Sequence, residues 1–358
     1  MNLYSRYKIG NERYPALTGI RALGAAAVFF AHLPFYTGFS LILNVLAFFF
    51  VLSGFLIVYM YYQWSFSSAG NIARYWINRF ARIYPVYFLL VTIAICHEHH
   101  YHPVLLLKNY TLTHALFNNY KDILIQPSWS LTVEECFYAL APLIILLVKR
   151  FSFLVSFLAG VLLLLLALLI STLPMSFLHS WEFVFTTTFF GHFFEFYAGV
   201  WLAILVLRGE KIHAVNKPGY LWTIMGIIGT GLSMGAMAIL YNLKGALNLP
   251  LFIVINNFIF PVTIVILYFG LISERTPVSK FLSTKLLGLL GRTSYSFYLL
   301  HMLIIDFWAV PHFYGYFGSN YNLFVITTFL ITQLLALVLF MLYEEPLNHF
   351  IRKIGKRK

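Results

Sequence analysis

The sequence predicts an all-α integral membrane protein with about ten transmembrane helices and both termini in the cytoplasm. Hydrophobic side chains make up 61% of its 358 residues and charged side chains only 10%, whereas soluble domains carry about 25% charged residues. Apolar runs long enough to cross a bilayer recur along the whole chain. The lipid bilayer is therefore the expected surrounding of most of the protein.

Ten apolar runs have the length that a membrane-spanning helix needs. Their approximate bounds are 15–34, 40–62, 82–96, 131–148, 152–171, 188–207, 220–241, 249–272, 289–309 and 322–343. Turn-forming residues separate them, as at Lys217-Pro218-Gly219. Since no long polar segment remains, we expect one transmembrane domain over residues 1–358 and no appended soluble domain.

The basic residues divide unequally between the loops on the two sides of these ten spans. All Lys and Arg residues except Lys108, Lys121 and Lys244 fall on the side that holds both termini. Cytoplasmic loops of membrane proteins are enriched in Lys and Arg, so this asymmetry predicts cytoplasmic termini. It also accounts for the net charge of +12 without a nucleic-acid partner.

The first run carries two ionisable residues, Arg21 near its start and His32 near its end. Eleven residues make about three helical turns, so both side chains would leave one face roughly 16 Å apart. A snorkelling arginine and a hydrogen-bonded core histidine would explain them structurally. Ionisable residues inside a membrane are costly, however, and often mark functional paths.

A second basic cluster lies at Arg79 and Arg82, which share one face of a helix at a spacing of three. Anchoring to the cytoplasmic interface would account for them. Guanidinium groups are also well suited to binding phosphates. Together with Arg21 on the same predicted side, they would hold a polyanionic ligand.

Acidic and small polar residues supply further candidates. Glu134 and Glu135 fall near the start of a predicted helix, where the helix dipole favours negative charge. We expect them at the depth of His32, where a carboxylate would orient the imidazole of a general base. The Ser53-Gly54 step allows close helix packing or approach of a ligand to the backbone.

The remaining polar groups inside the runs have a structural explanation that is at least as good as a catalytic one. They are Glu195 with His192, Asp306 with His301, and Asn256 with Asn257, all of which suit hydrogen bonds between helices. The histidine-rich segment 96–102 has a composition that can bind zinc. Because nothing fixes a coordination geometry there, we expect a solvated loop and no metal site.

Several stretches, taken together and in order, resemble the acyltransferase family 3 membrane proteins. They are residues 17–32 with the spacing Arg21-x10-His32, and residues 48–55, 78–85, 128–138, 195–199, 291–301 and 345–346. Each stretch alone is a weak signal, but the ordered set is specific and spans nearly the whole chain. His192 departs from the pattern, because relatives often have another basic residue near this position.

The resemblance implies a ten-helix enzyme that takes an acyl group, usually acetyl, from acyl-CoA on the cytoplasmic side. It implies that His32 is catalytic, together with Arg21 and Glu134. It also implies that Arg79 and Arg82 correspond to the Arg-x-x-Arg motif of the family. Many relatives carry a further esterase-like domain, which we do not expect here.

The predicted site therefore has three parts and no metal. Its catalytic residues are His32, Glu134 and Arg21; its acetyl-CoA-binding residues are Arg79, Arg82, Arg21, Ser53 and Tyr84; its acceptor-binding residues are Trp129, Tyr298 and His301. The predicted activity is O-acylation of an extracytoplasmic glycan, such as O-antigen, capsule or exopolysaccharide, at the bacterial inner membrane. The alternative is a transporter or flippase of a glycan or small molecule, since such proteins also embed Arg, His and Glu residues.

Overall fold

The computed structural model describes residues 13–33, 45–66, 68–99, 102–210, 219–244, 250–317 and 320–355. Within these ranges the chain is helical, and the only extended pairing is an isolated antiparallel bridge between Phe117 and Phe177. Helices suit this sequence because a helix satisfies its backbone hydrogen bonds internally, as a bilayer requires. The predicted all-α class is confirmed for this part of the chain.

Fifteen α-helices are numbered here in chain order. The first eight are α1 Pro15–Ala31, α2 Leu46–Tyr61, α3 Ala69–Glu98, α4 Pro103–Tyr110, α5 Trp129–Arg150, α6 Phe153–Ile170, α7 Trp181–Thr187 and α8 Phe189–Glu210. The other seven are α9 Leu221–Lys244, α10 Pro250–Val254, α11 Phe260–Ser273, α12 Pro277–Leu282, α13 Lys285–Ile304, α14 Tyr321–Leu339 and α15 Glu345–Ile354.

Short helices of other types complete the described chain. Single 3-10 turns lie at His114–Leu116, Gln126–Ser128 and Tyr314–Phe317. Three π-helical segments interrupt the long C-terminal helices, at Ile255–Ile259, Ile305–Phe313 and Phe340–Glu344. Because π-helical turns occur frequently at functional sites, the residues that they carry are of interest.

Seven helical stretches of the described chain are long and apolar enough to cross a membrane. They are Ala69–Glu98, Gln126–Arg150, Phe153–Ile170, Trp181–Gly209, Leu221–Asn242, Pro250–Ser273 and Tyr321–Ile354. Helices α1 and α2 are also apolar but shorter. Each of the ten predicted spans overlaps a helix, and the protein is a multi-pass membrane protein.

The third predicted span, 82–96, is too short. Helix α3 runs over 30 residues and carries Arg79 and Arg82 in its interior, not in a segment that precedes it. The apolar pattern ends at these charges, which is why the sequence placed a boundary there. In the structure Tyr75 and Arg79 are themselves buried among the helices, so the helix continues past them.

Two glycines allow the helices around the site to approach at backbone distance. A Cβ atom at Gly54 of α2 would lie 2.1 Å from the carbonyl oxygen of Phe196 in α8, and one at Gly291 of α13 would lie 1.9 Å from that of Thr18 in α1. Small residues commonly mediate such contacts in membranes. The close packing expected at the Ser53-Gly54 step is therefore present.

We expect Gly54→Ala to destabilise the protein, because its methyl group would push α2 away from α8. Overpacking of this kind costs about 1–3 kcal/mol. The measurement is the thermal unfolding midpoint of the purified protein in detergent, which should fall by several degrees.

Gly231→Ala in α9 is the matched control, since a Cβ atom there would meet nothing within 4 Å. Alanine is the better helix former, so this variant should unfold at or above the wild-type temperature. Equal midpoints for the two variants would show that the α2–α8 contact tolerates an added side chain.

Candidate active site

Two cavities lie between the helices that carry the predicted site residues. The larger one, of about 540 Å³, we name the histidine cavity. The polar and aromatic residues that line it include His32, Lys121, Asp122, Trp129, His192, Glu195, Tyr241, Asn256, Asn257 and Tyr298. Its size lies in the range of small-molecule sites.

The second cavity, of about 250 Å³, we name the arginine cavity. The polar residues that line it include Arg21, Ser53, Tyr61, Arg79, Arg82, Ser130, Glu134, Tyr138, Ser294, Tyr295, Tyr298 and Arg352. The structure thus brings together the three arginines that the sequence assigned to a polyanionic ligand, and it adds a fourth.

Helix α1 connects the two cavities. Arg21 lines the arginine cavity, and His32, which directly follows the last residue of α1, lines the histidine cavity. Leu46 and Tyr298 line both cavities, so the two adjoin. The side chains of Arg21 and His32 therefore line two neighbouring cavities that share part of their lining.

The imidazole of His32 is held in one tautomer by the end of its own helix. Its Nδ1 lies 2.9 Å from the carbonyl oxygen of Val28, which can only accept a hydrogen bond, so Nδ1 carries the hydrogen. His301 Nε2 lies 3.4 Å from the same Nδ1, while His301 Nδ1 donates to the Tyr298 carbonyl at 2.5 Å. This arrangement leaves the lone pair of His32 on Nε2, as a general base requires.

Of the residues predicted to bind the acceptor, Tyr298 lines the histidine cavity, whereas His301 lines neither cavity as the structure describes them. His301 is fully buried behind His32. The Tyr298 hydroxyl donates to the Pro127 carbonyl at 2.8 Å and accepts from Ser130 Oγ at 2.7 Å. Tyr298 therefore has a fixed ring and a hydroxyl hydrogen that is already in use.

Trp129 lines the histidine cavity from the first residue of α5. The loop before it is anchored by Ser128, whose Oγ lies 2.6 Å from the Ile125 carbonyl and 3.0 Å from His114 Nε2. His114 lies outside the long helices and is completely buried, and burial lowers the pKa of His114 to about 4. The neutral His114 therefore donates to Ser128 and fixes the start of α5.

Glu134 has a different partner from the one that the sequence predicted. It lines the arginine cavity, and one carboxylate oxygen accepts a hydrogen bond from Ser53 Oγ at 2.6 Å. The Tyr138 hydroxyl in turn donates to Ser53 at 3.3 Å. Because Glu134 lies five residues beyond Trp129, it is about 7.5 Å further along α5 and deeper than the depth expected of it. The structure pairs Glu134 with Ser53 and pairs His32 with His301.

Arg79 and Arg82 both face the arginine cavity but are held differently. Arg79 is buried, donates to the Tyr61 hydroxyl at 3.3 Å, and lies over the rings of Tyr61 and Tyr138. Its Nε has no hydrogen-bond partner among the described residues. Arg82 forms an ion pair with Glu344. Part of the positive charge in this cavity is therefore left to interact with a ligand.

Sequence reasoning missed Glu344 and Arg352. Glu344 lies in the π-helical segment Phe340–Glu344, is 1% exposed, and also accepts from Ser296 Oγ at 2.6 Å. The resemblance directed attention to the neighbouring Glu345, which is a fifth exposed and lies 3.4 Å from His349. The sequence shows that Glu344 is an acidic residue at the end of a predicted span. It does not show the ion pair, because Arg82 lies 262 positions away in the chain.

Tyr84, predicted to bind acetyl-CoA, does not line the arginine cavity as the structure describes it. Two residues correspond to about 200° of rotation, so Tyr84 points away from Arg82. Its ring stacks on Phe80, with centroids 4.9 Å apart. Tyr84 is therefore not grouped with the other predicted donor-binding residues in the structure, and its role in acetyl-CoA binding stays a prediction.

His192 and Glu195 form a buried pair within α8, not a bridge between helices. Nδ1 of His192 lies 2.8 Å from Oε1 of Glu195, and the two side chains are 6% and 1% exposed. Asn257, by contrast, has the structural role expected of it: its amide donates to the backbone carbonyls of Phe185 and Gly191. Asp306 is exposed, and the recorded partners of His301 are Tyr298 and His32.

No metal-binding cluster of three or more His, Cys, Asp or Glu side chains occurs in the described part of the chain. The histidine-rich segment 96–102 is described only in part, because residues 100 and 101 lie outside the described ranges. The polar groups that line the two cavities are imidazole, carboxyl, amide, hydroxyl, ammonium and guanidinium groups.

Comparison with known proteins agrees with this chemistry. The family model described as an acyltransferase domain, of the acyltransferase 3 type, matches residues 14–341. The peptidoglycan O-acetyltransferase OatA of Listeria monocytogenes is 31% identical over 150 residues, a match that covers 37% of this chain and 24% of that protein. The chain thus spans about a quarter of that relative's length. No solved structure matches the chain significantly. Because the family match covers residues 14–341, most of the chain, the chain belongs to the acyltransferase 3 family of multi-pass membrane proteins.

Proposed function

We propose that the protein transfers an acetyl group from acetyl-CoA, bound in the arginine cavity, to a hydroxyl group of a glycan bound in the histidine cavity. The observation that carries this proposal is the pair of adjoining cavities joined by α1. One contains four arginines, and the other contains a histidine with a free ring nitrogen. An acyl transfer needs a binding site for the acyl donor next to a site where the acceptor hydroxyl is deprotonated.

The donor half rests on the charge of the arginine cavity. Guanidinium groups bind phosphates with paired, charge-assisted hydrogen bonds, and CoA carries three phosphates. The Nε atoms of Arg352 and Arg79 have no hydrogen-bond partner among the described residues, so both guanidinium groups keep unused donors. Glu344 pairs with Arg82, and a bound phosphate would compete with it. The pantetheine arm then extends roughly 16 Å along α1 towards His32.

The chemical step uses His32 as a general base. Nε2 removes the proton from the acceptor hydroxyl, and the oxygen attacks the thioester carbonyl carbon. The C–S bond breaks, and the leaving thiolate takes the proton from Nε2 to give free CoA. Transfer through an acetyl-His32 intermediate is a second route with the same atom balance.

The oxyanion that forms during the step needs a hydrogen-bond donor. The Tyr298 hydroxyl hydrogen is donated to Pro127, which makes Tyr298 a poor choice. The indole N–H of Trp129 lies in a side chain that lines the same cavity as His32. We therefore assign this role to Trp129.

The acceptor and the location follow from the relatives and the charge asymmetry. The similarity to a peptidoglycan O-acetyltransferase supports a cell-surface glycan as the acceptor, with O-antigen, capsule and exopolysaccharide in the same chemical class. Ten spans with both termini inside would direct the arginine cavity to the cytoplasm, where acetyl-CoA is made. The protein would then work in the bacterial cytoplasmic membrane, with the histidine cavity towards the outer face.

We expect His32→Ala to lower acetyl transfer by about 10²–10⁴-fold, the usual contribution of a general base. The assay is CoA thiol release by the purified protein in nanodiscs, with glycan from the producing cell as the acceptor. Acetyl-CoA should still bind, since His32 lies outside the arginine cavity. His349→Ala is the control, because that side chain is 70% exposed.

A His32→Ala variant that kept wild-type transfer would remove His32 from the mechanism. A wild-type protein that moved glycan across the membrane without consuming acetyl-CoA would instead support the transporter alternative.

We expect Arg352→Gln to weaken acetyl-CoA binding at least tenfold with little change in kcat, because it removes a charge that contacts only the donor. The measurements are Kd by calorimetry and KM for acetyl-CoA. The double variant Arg79→Ala with Arg82→Ala should weaken binding further, although it also leaves Glu344 unpaired.

Lys353→Gln is the matched control for Arg352, since Lys353 is the next residue of the same helix and is exposed. The same KM in wild type, Arg352→Gln and the double variant would show that CoA phosphates bind elsewhere.

A further inference from the structure

Three polar atoms in the wall of the histidine cavity have no hydrogen-bond partner among the described residues. They are His192 Nε2, Glu195 Oε2 and Asn256 Oδ1, and each is shielded from solvent. Buried polar atoms are normally paired, since leaving them unpaired costs free energy. All three side chains line the histidine cavity. Three unpaired atoms in one wall indicate that a ligand supplies the missing partners.

The chemistry of these atoms limits what the ligand can be. Glu195 Oε1 already accepts from His192, so its free Oε2 can only accept a further bond when the carboxylate is ionised. The Asn256 amide nitrogen donates to Asn257 Oδ1 at 2.6 Å. The Oδ1 atom of Asn256 itself remains as an acceptor. His192 Nε2 accepts a hydrogen bond from a hydroxyl group when it is unprotonated and donates one to a hydroxyl oxygen when it is protonated. The wall therefore suits ligands with hydroxyl and amide N–H groups.

The neighbouring side chains of Asn256 and Asn257 form different hydrogen bonds. Both lie in the π-helical segment Ile255–Ile259. Both line the histidine cavity. Asn257 donates its amide to the carbonyls of Phe185 and Gly191, whereas Asn256 keeps a side-chain oxygen without a partner among the described residues. π-helical turns frequently occur at functional sites because they redirect side chains in this way.

Aromatic rings accompany the polar wall. The Trp129 ring centroid lies 6.0 Å from that of His192, and Trp129 and Tyr241 line the same cavity. Amphipathic rings of this kind offer an apolar face to a ligand that also forms hydrogen bonds. A sugar ring has C–H faces and a rim of hydroxyl donors, and the cavity has room for it.

We propose that His192, Glu195 and Asn256 form an acceptor subsite that binds a sugar ring through its hydroxyl or N-acetyl N–H groups and presents another hydroxyl to His32. The role of the subsite as an acceptor site rests on the proposed acetyl transfer. Binding of a sugar to it can be measured without any acetyl transfer. His192 and Glu195 are positioning residues in this scheme, and His32 remains the base.

The test measures, by saturation-transfer NMR, the binding of a β-1,4-linked N-acetylglucosamine tetrasaccharide to the protein in nanodiscs without acetyl-CoA. Glu195→Gln and Asn256→Ala should each weaken binding at least tenfold. Glu195→Gln keeps the shape and the bond to His192, so it should fold normally. The KM for acetyl-CoA should stay within twofold of wild type in both variants.

Asn242→Ala is the matched control, with the same residue type at an exposed position of α9 that does not line the histidine cavity. This variant should change sugar binding less than threefold. Absence of sugar binding in wild type would overturn the subsite, and so would wild-type affinity in both Glu195→Gln and Asn256→Ala. Sugar binding that depends on Glu195 and Asn256, in a protein that never consumes acetyl-CoA, would uphold the subsite and refute the proposed acetyl transfer.

Discussion

The close contact between α1 and α13 is the constraint on which both cavities depend. Gly291 lies against the backbone of Thr18 at a distance that excludes any side chain. This contact sets Tyr298 and His301 of α13 beside the end of α1, where His301 meets His32. Tyr298 then forms part of the wall between the cavities. A wider separation of these helices would merge the cavities and release the imidazole pair.

Charge in the arginine cavity is balanced only in part. Charged groups are costly to bury unless they are paired and hydrogen-bonded. Glu344 meets this requirement for Arg82, with a further hydrogen bond from Ser296. Glu134 is fixed by Ser53. Among the described residues, the Nε atoms of Arg79 and Arg352 have no hydrogen-bond partner, so the positive charge of the cavity is only partly compensated.

The fold class was accessible from sequence because a bilayer imposes simple rules of length and polarity. The placement of Arg21 and His32 was also accessible, since both lie on one helix and their spacing fixes their relation. The partner of Glu134 was not, because it depends on how α5 packs against α2. Glu344 and Arg352 escaped notice for the same reason, since their neighbours are distant in the chain. Helical periodicity alone, by contrast, predicts that Tyr84 and Arg82 point in different directions.

The histidine cavity contains two histidines whose surroundings differ, and the difference separates their roles. A carboxylate that accepts from Nδ1 stabilises an imidazolium and is the usual partner of a catalytic base. His192 has such a partner in Glu195, whereas His32 has the Val28 carbonyl and His301. By partner alone, His192 would be the base. Position decides otherwise.

His32 lies at the end of the helix that carries Arg21, next to the wall formed by Leu46 and Tyr298 through which the two cavities adjoin. A thioester extended from the arginines along α1 arrives at His32. His192 lies on α8, whose residues do not line the arginine cavity in the described structure. An ionised Glu195 carboxyl group would also accept hydrogen bonds from hydroxyl groups more strongly than a neutral imidazole does. In the proposed reaction His32 therefore takes the proton, and the His192–Glu195 pair holds the sugar that gives it up.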